Sequence, residues 1–174
     1  MKDLKDFVVT IPNYPKDGIM FRDITSVIQS AEGLQLAIDS MQNLVKDIDY
    51  DVIVGPESRG FVFGMPMAYN DHKPFVMVRK PGKLPRETIS QSYDLEYGSA
   101  TLEIHKDALY PGEKVLIVDD LIATGGTTEA IVKLVERLDA KVAGMVFLME
   151  LKGLHGRDRL KDYRIEAAIS YDGK

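Results

Sequence analysis

Residues 114–131 constrain the fold more than any other segment. Lys114-Val115-Leu116-Ile117-Val118 is a short β-branched, apolar run, and two acids, Asp119 and Asp120, follow it at once. Ala123-Thr124-Gly125-Gly126-Thr127-Thr128 then turns the chain, and Ile131, Leu134, Val135 and Leu138 recur at helical spacing. An apolar run without alternation suits a strand buried on both faces, as in a parallel sheet, and parallel neighbours need a crossover helix between them. Strand, glycine-rich turn and helix in that order therefore point to an α/β fold.

The rest of the chain repeats the pattern. Leu34, Ala37, Ile38, Met41, Leu44, Val45 and Ile48 fall at steps of three and four, which predicts a helix with one apolar face. Asp51 to Pro56 reads as a buried strand, Gly60 to Tyr69 as a helix and Pro74 to Arg79 as a second strand. Lys80 to Ser92 carries prolines, a glycine, cations and hydroxyls and reads as a long loop. Ala100 to His105, Lys114 to Val118, Val142 to Leu148 and Arg164 to Ile169 read as further strands. The expectation is a central, mainly parallel sheet with helices on both faces. The length of 174 residues suits one domain, 1–174. Its first thirty or so residues fit the alternation least well and are expected to form a small lobe of their own.

Several classes of function drop out. The chain has no cysteine, which removes a disulfide scaffold, a thiol nucleophile and a Cys-based zinc site. A net charge of −5 argues against a nucleic-acid partner. Met1 to Asp6 has no apolar signal core and no long apolar run follows, so a cytoplasmic protein without a membrane partner is expected. Neither a P-loop nor a dinucleotide-binding glycine pattern is present. His72, His105 and His155 are isolated and form no metal pattern.

What remains is a phosphate site. In open α/β sheets ligands bind beyond the carboxyl ends of the strands, where this strand delivers Asp119 and Asp120. Gly125 and Gly126 let the backbone approach closely and expose successive N–H groups as an anion nest. The helix N-terminus adds partial positive charge, and Thr124, Thr127 and Thr128 can cap it and also donate hydroxyls to phosphate. Two acids beside an anion cradle repel the ligand unless it brings hydroxyls or a metal between them. A ribose phosphate satisfies both: phosphate on the nest, hydroxyls on the carboxylates. Both acids are expected at a solvent-facing sheet edge.

Val115 to Thr128 resembles the signature segment of the type I phosphoribosyltransferases, which bind 5-phosphoribosyl-1-pyrophosphate. Pro12 to Thr25 resembles the base-binding segment of the adenine phosphoribosyltransferase family, and Gly55-Pro56-Glu57-Ser58-Arg59-Gly60-Phe61 its pyrophosphate loop. Arg79 to Pro85 and Tyr93 to Gly98 resemble the two ends of its flexible catalytic loop.

The resemblance implies the type I phosphoribosyltransferase fold with an N-terminal base-binding hood. It implies a salvage enzyme that converts adenine and phosphoribosyl pyrophosphate to AMP and pyrophosphate with Mg2+, as a homodimer. By the same resemblance Ala123, Thr124, Gly125, Gly126 and Thr127 would hold the 5′-phosphate. Asp119 and Asp120 would engage the ribose hydroxyls, directly or through magnesium. Glu57, Ser58, Arg59, Arg79 and Lys83 would meet the pyrophosphate, with a cis peptide at Glu57-Ser58. Met20, Arg22 and Leu121 would form the adenine pocket, with the Met20 backbone reading the base edge, and Glu96 would be the catalytic proton carrier. The 79–98 loop would be mobile until substrate closes it. A transferase for another base, such as hypoxanthine or xanthine, is the nearest alternative. A non-catalytic sensor of phosphoribosyl pyrophosphate that regulates transcription is the other, but no basic appendage for DNA is evident. The tail, Ile169 to Lys174, matches no part of the pattern.

Overall fold

The computed structural model describes residues 1–95 and 97–173. Its centre is a five-stranded parallel sheet in the order β4-β3-β7-β8-β9, comprising β3 (Val52–Pro56), β4 (Phe75–Val78), β7 (Lys114–Ile122), β8 (Lys141–Leu151) and β9 (Ile165–Tyr171). Helices α2 (Ala31–Leu44), α3 (Arg59–Asn70) and α4 (Gly126–Arg137) cross between or flank these strands. The α/β expectation therefore holds.

Side chains alternate across the sheet, and each face has its own apolar layer. Ile53, Leu116, Val118, Val146 and Leu148 face α2 and α3, where Ala37, Met41, Phe63 and Met67 are buried. Val52, Val54, Val115, Ile117, Met145 and Phe147 face the opposite way, onto Ile131, Leu134 and Val135 of α4. A layer on each face is what lets β7 and β8 carry almost unbroken apolar sequence.

Two small ribbons lie outside this sheet. β1 (Val9–Pro12) pairs antiparallel with β2 (Met20–Asp23), and a four-residue helix, α1 (Thr25–Ile28), follows. β5 (Thr88–Asp94) pairs antiparallel with β6 (Ser99–His105). The second ribbon corrects the sequence reading, because residues 88–92 are strand and not loop. Thr88, Ile89, Gln91 and Tyr93 are half-buried, while Ser90, Ser92 and Asp94 are exposed. Hydroxyl-rich sequence with that period suits a half-buried strand.

β7 also runs further than expected, through Asp119 and Asp120 to Ile122. The reason is its neighbour: β8 continues alongside it, pairing Phe147 with Asp119, Met149 with Leu121 and Glu150 with Ile122. β9 extends to Tyr171, so Ile169 to Tyr171 of the tail are sheet. No helix among the described residues is long and apolar enough to cross a membrane.

Candidate active site

β3 and β7 lie side by side and end at the same edge of the sheet. Beyond Pro56 the chain passes through Glu57, Ser58 and Arg59 into α3, and the Glu57–Ser58 peptide is cis. Gly60 is confined: a Cβ there would lie 2.7 Å from the Pro56 ring and 3.0 Å from Asp119 Oδ1. Only a glycine lets the first turn of α3 come this close to the acid.

Asp119 and Asp120 are buried, at 8% and 6% exposure, which corrects the solvent-facing placement. The continuing β8 and the first turn of α3 cover them. The Asp120 N–H donates to Asp119 Oδ1 at 2.8 Å, and Arg59 Nε donates to Asp120 Oδ2 at 2.6 Å. Burial, reinforced by the charge of Asp120, pushes the Asp119 carboxyl well above the usual carboxylate range. With both acids ionised, the pair would hold more negative charge than Arg59 alone offsets, which is why the second proton is held more tightly.

A second carboxylate–guanidinium pair stands beside the first. Arg79 Nε donates to Glu57 Oε1 at 3.1 Å, and the Lys80 N–H donates to the same oxygen at 2.8 Å. The Lys80 N–H, then the Arg79 charge, hold the Glu57 carboxyl below its ordinary value against the opposing effect of burial.

After β7 the chain turns through Ala123 and Thr124 to Gly125, whose φ of +84° places it in the left-handed region. Gly125 is the N-cap of α4, and no side chain caps the helix, contrary to the expectation for the threonines. The left-handed turn leaves no cap position for Thr124, and the Thr127 hydroxyl instead donates to Tyr93 Oη at 3.2 Å. The first-turn N–H groups of α4, which have no intrahelical partner, stay free of a side-chain acceptor.

These elements enclose a cleft of about 420 Å³. Glu57, Ser58, Arg59, Asp119, Asp120, Leu121 and Ala123 to Thr127 all line it, as the sequence reading expected of one site. Arg79 reaches it through Glu57. Lys83 is exposed and outside the lining, where Lys80 stands instead. Glu96 lies outside the described residues. Leu121 opens onto a neighbouring recess with Phe21, Arg22, Asp23, Ile24 and Met149. Arg22 Nη1 donates to Thr10 Oγ1 at 2.5 Å, and its guanidinium lies 4.1 Å from the centre of the Tyr171 ring. Met20 stays exposed at 43% and is not part of that lining.

Besides Lys80, the sequence reading missed residues of two other elements. Tyr93 and Leu102 line the cleft from the β5–β6 ribbon, and the period-two pattern around Ile89 and Gln91 was the signal for Tyr93. Tyr171 had no local signal, because its partner Arg22 is at the other end of the chain.

No group of three or more His, Cys, Asp or Glu among the described residues is placed to hold a metal ion. The two buried carboxylates are hard oxygen donors with unbalanced charge. They fit a divalent cation that takes its remaining ligands from water and substrate oxygens.

The phosphoribosyl transferase domain model matches residues 24–171. An adenine phosphoribosyltransferase of Agathobacter rectalis is 63% identical over 174 residues, covering all of both chains. The solved adenine phosphoribosyltransferase of Thermoanaerobacter pseudethanolicus superposes with a TM-score of 0.93 at 48% identity, covering 97% of this chain and 98% of the other. That of Saccharomyces cerevisiae, solved with an imino-altritol bisphosphate and adenine, gives 0.88 at 40% identity over 95% and 96%.

Proposed function

The chain belongs to the adenine phosphoribosyltransferase family, and from that premise we propose that it converts adenine and 5-phosphoribosyl-1-pyrophosphate to AMP and pyrophosphate in purine salvage. One observation carries the reading: an uncapped helix N-terminus and a buried acid pair share one cleft. The first suits a phosphate and the second suits the sugar hydroxyls of the same molecule.

The roles follow from position. Ala123, Thr124, Gly125, Gly126 and Thr127 hold the 5′-phosphate on backbone N–H groups. Asp119 and Asp120 anchor the ribose hydroxyls. Glu57, Ser58 and Arg59 face the pyrophosphate, and Arg79 and Lys83 come to it when the 79–87 segment and its ribbon close. A magnesium ion carried by the substrate, held near Asp119 and Asp120, would neutralise charge on the leaving group. As the C1–O bond breaks, the guanidinium groups stabilise the departing oxygens, and the buried carboxylates stabilise the positive sugar. Ribbon closure keeps water from that sugar.

The base enters beside Leu121 and Arg22. Met20 stands opposite Pro12 in the ribbon, and Pro12 has no N–H to offer the Met20 carbonyl. A backbone carbonyl and N–H pair matches the amine and ring nitrogen of adenine and mismatches a 6-oxo purine. Glu96 exchanges the proton on the purine during attack.

Residues 1–174 act as one unit, with about 1–30 as the base-binding hood. Exposed Met65 and Tyr69 on α3 and Met77 on the edge strand β4 support a homodimer. The protein works in the cytoplasm. The testing experiment measures product formation from each purine base with phosphoribosyl pyrophosphate and magnesium. Adenine should exceed hypoxanthine and guanine in kcat/KM by at least about 10²-fold, as expected when a buried polar edge is mismatched. Comparable turnover of hypoxanthine removes the assignment.

A further inference from the structure

Glu150 is a buried acid that the reaction does not use. It sits near the end of β8 at 7% exposure, directly beside Ile122, the last residue of β7 before the phosphate turn. Arg157 takes both of its oxygens, Nε to Oε1 at 2.7 Å and Nη2 to Oε2 at 2.9 Å. The remaining arm of the same guanidinium, Nη1, donates to the Ile165 carbonyl at 2.9 Å, at the start of β9. One side chain thus ties the end of β8 to the start of β9 and fixes the 152–160 segment between them.

That segment presses on the phosphate turn. A Cβ on Gly156 would lie 2.5 Å from the Ala123 carbonyl oxygen and 3.2 Å from the Gly125 nitrogen. A Cβ on Gly125 would in turn lie 2.6 Å from the Gly156 carbonyl oxygen. The two glycines interlock, so neither backbone moves toward the other. Further along, Arg159 Nη1 lies 3.6 Å from Oε1 of Glu129, whose own N–H donates to the Gly125 carbonyl at 2.9 Å. The uncapped N-terminus of α4 therefore has a brace behind it, and the brace is locked by Glu150 and Arg157.

We propose that Glu150 and Arg157 are positioning residues for the 5′-phosphate: their bidentate pair holds Gly156 against Ala123 and Gly125, which fixes the direction of the phosphate-binding N–H groups. The inference rests on the assignment of Ala123 to Thr127 to the 5′-phosphate. A turn made of glycines has little stiffness of its own, and N–H groups bind an anion well only when held in place. Both side chains lie outside the cleft lining, so they act through the backbone and not on the substrate.

The variants are Arg157→Lys, which keeps the charge and loses the fork, and the double Glu150→Gln/Arg157→Gln, which leaves no unpaired buried charge and protects the fold. Binding of ribose 5-phosphate and of magnesium pyrophosphate is measured by calorimetry, with kinetics alongside. Both variants should bind ribose 5-phosphate about 10- to 100-fold more weakly, the scale of a small misplacement. Pyrophosphate affinity should stay near wild type. KM for phosphoribosyl pyrophosphate should rise with kcat changed far less. Ribose 5-phosphate affinity equal to wild type in a folded variant overturns the inference, and so does an equal loss for both ligands. A wild-type protein that binds no ribose 5-phosphate instead sinks the assignment of the phosphate turn.

Discussion

Strand β7 and the β5–β6 ribbon face the same cleft but are built in opposite ways. From Val115 to Asp120 every residue of β7 is buried, with β3 beside Val115 to Ile117 and β8 running alongside to Ile122. β5 has one partner strand, and no residue in it is fully buried. Residues on β7 are fixed by the whole core. A two-stranded ribbon is marginal alone, and although Leu102 and Ile104 anchor β6 in the core, β5 is expected to open at lower free energy than the sheet. On the proposed roles, the sugar and its phosphate meet this rigid surface, whereas Glu96, Arg79 and Lys83 reach the base and the leaving group from the ribbon and the segment before it.

The sharpest way to break that division is Glu96→Gln, between β5 and β6 in the sequence. It keeps size and hydrogen-bonding reach and removes proton exchange. Turnover in a single-turnover assay of AMP formation should fall by roughly 10²–10⁴-fold, while phosphoribosyl pyrophosphate binding barely changes. A rate within about threefold of wild type, far short of that range, would leave the ribbon with a shielding role only.

On the rigid side, Asp119→Asn with Asp120→Asn should lower kcat/KM by at least about 10²-fold, through lost anchoring of the sugar. Stability should move the other way. The Asp119 pKa is raised in the folded state, so the unfolded chain gives up that proton first. Folding is then favoured most below the ordinary value of 3.8 and loses support as pH rises toward the folded value. Asp119→Asn alone removes this cost. Its melting temperature relative to wild type should climb as pH rises above 3.8, and a flat difference would show that Asp119 carries no raised pKa.

The smallest effect belongs to the hood. Tyr171→Ala removes the ring under Arg22 and should cost about 0.5–1 kcal/mol for the lost cation–π contact. It should also raise KM for adenine severalfold, leaving KM for phosphoribosyl pyrophosphate near wild type. Tyr171→Phe keeps the ring and should behave as wild type by both measures. Equal behaviour of the two variants would show that the hood is held some other way.

The legible parts of this molecule were the rigid ones. Val115 to Val118, Val52 to Pro56 and the stripe through Ile131, Leu134 and Val135 announced themselves because burial on a sheet face demands apolar residues at fixed spacing. The β5 strand was hidden because its outer face carries hydroxyls and its apolar content is low. The burial of Asp119 and Asp120 was hidden for another reason: what covers them, β8 and the start of α3, comes from distant sequence. Tyr171 under Arg22 and Glu150 with Arg157 are similar cases, set by tertiary pairing and not by local pattern.

The two guanidinium groups near the leaving-group loop already have counter-ions built into the chain, Asp120 for Arg59 and Glu57 for Arg79. An arriving anion therefore exchanges with a tethered one and does not simply meet free positive charge. Exchange of this kind discriminates by valence. A singly charged anion, such as chloride or acetate, gives up as much as it gains, because displacing either carboxylate restores one unit of charge contact and destroys another. On the proposed role of these residues, a diphosphate would meet both guanidinium groups and gain from each. On that reading the cleft stays electrostatically quiet in a solution crowded with small, singly charged anions and responds to a ligand of higher charge.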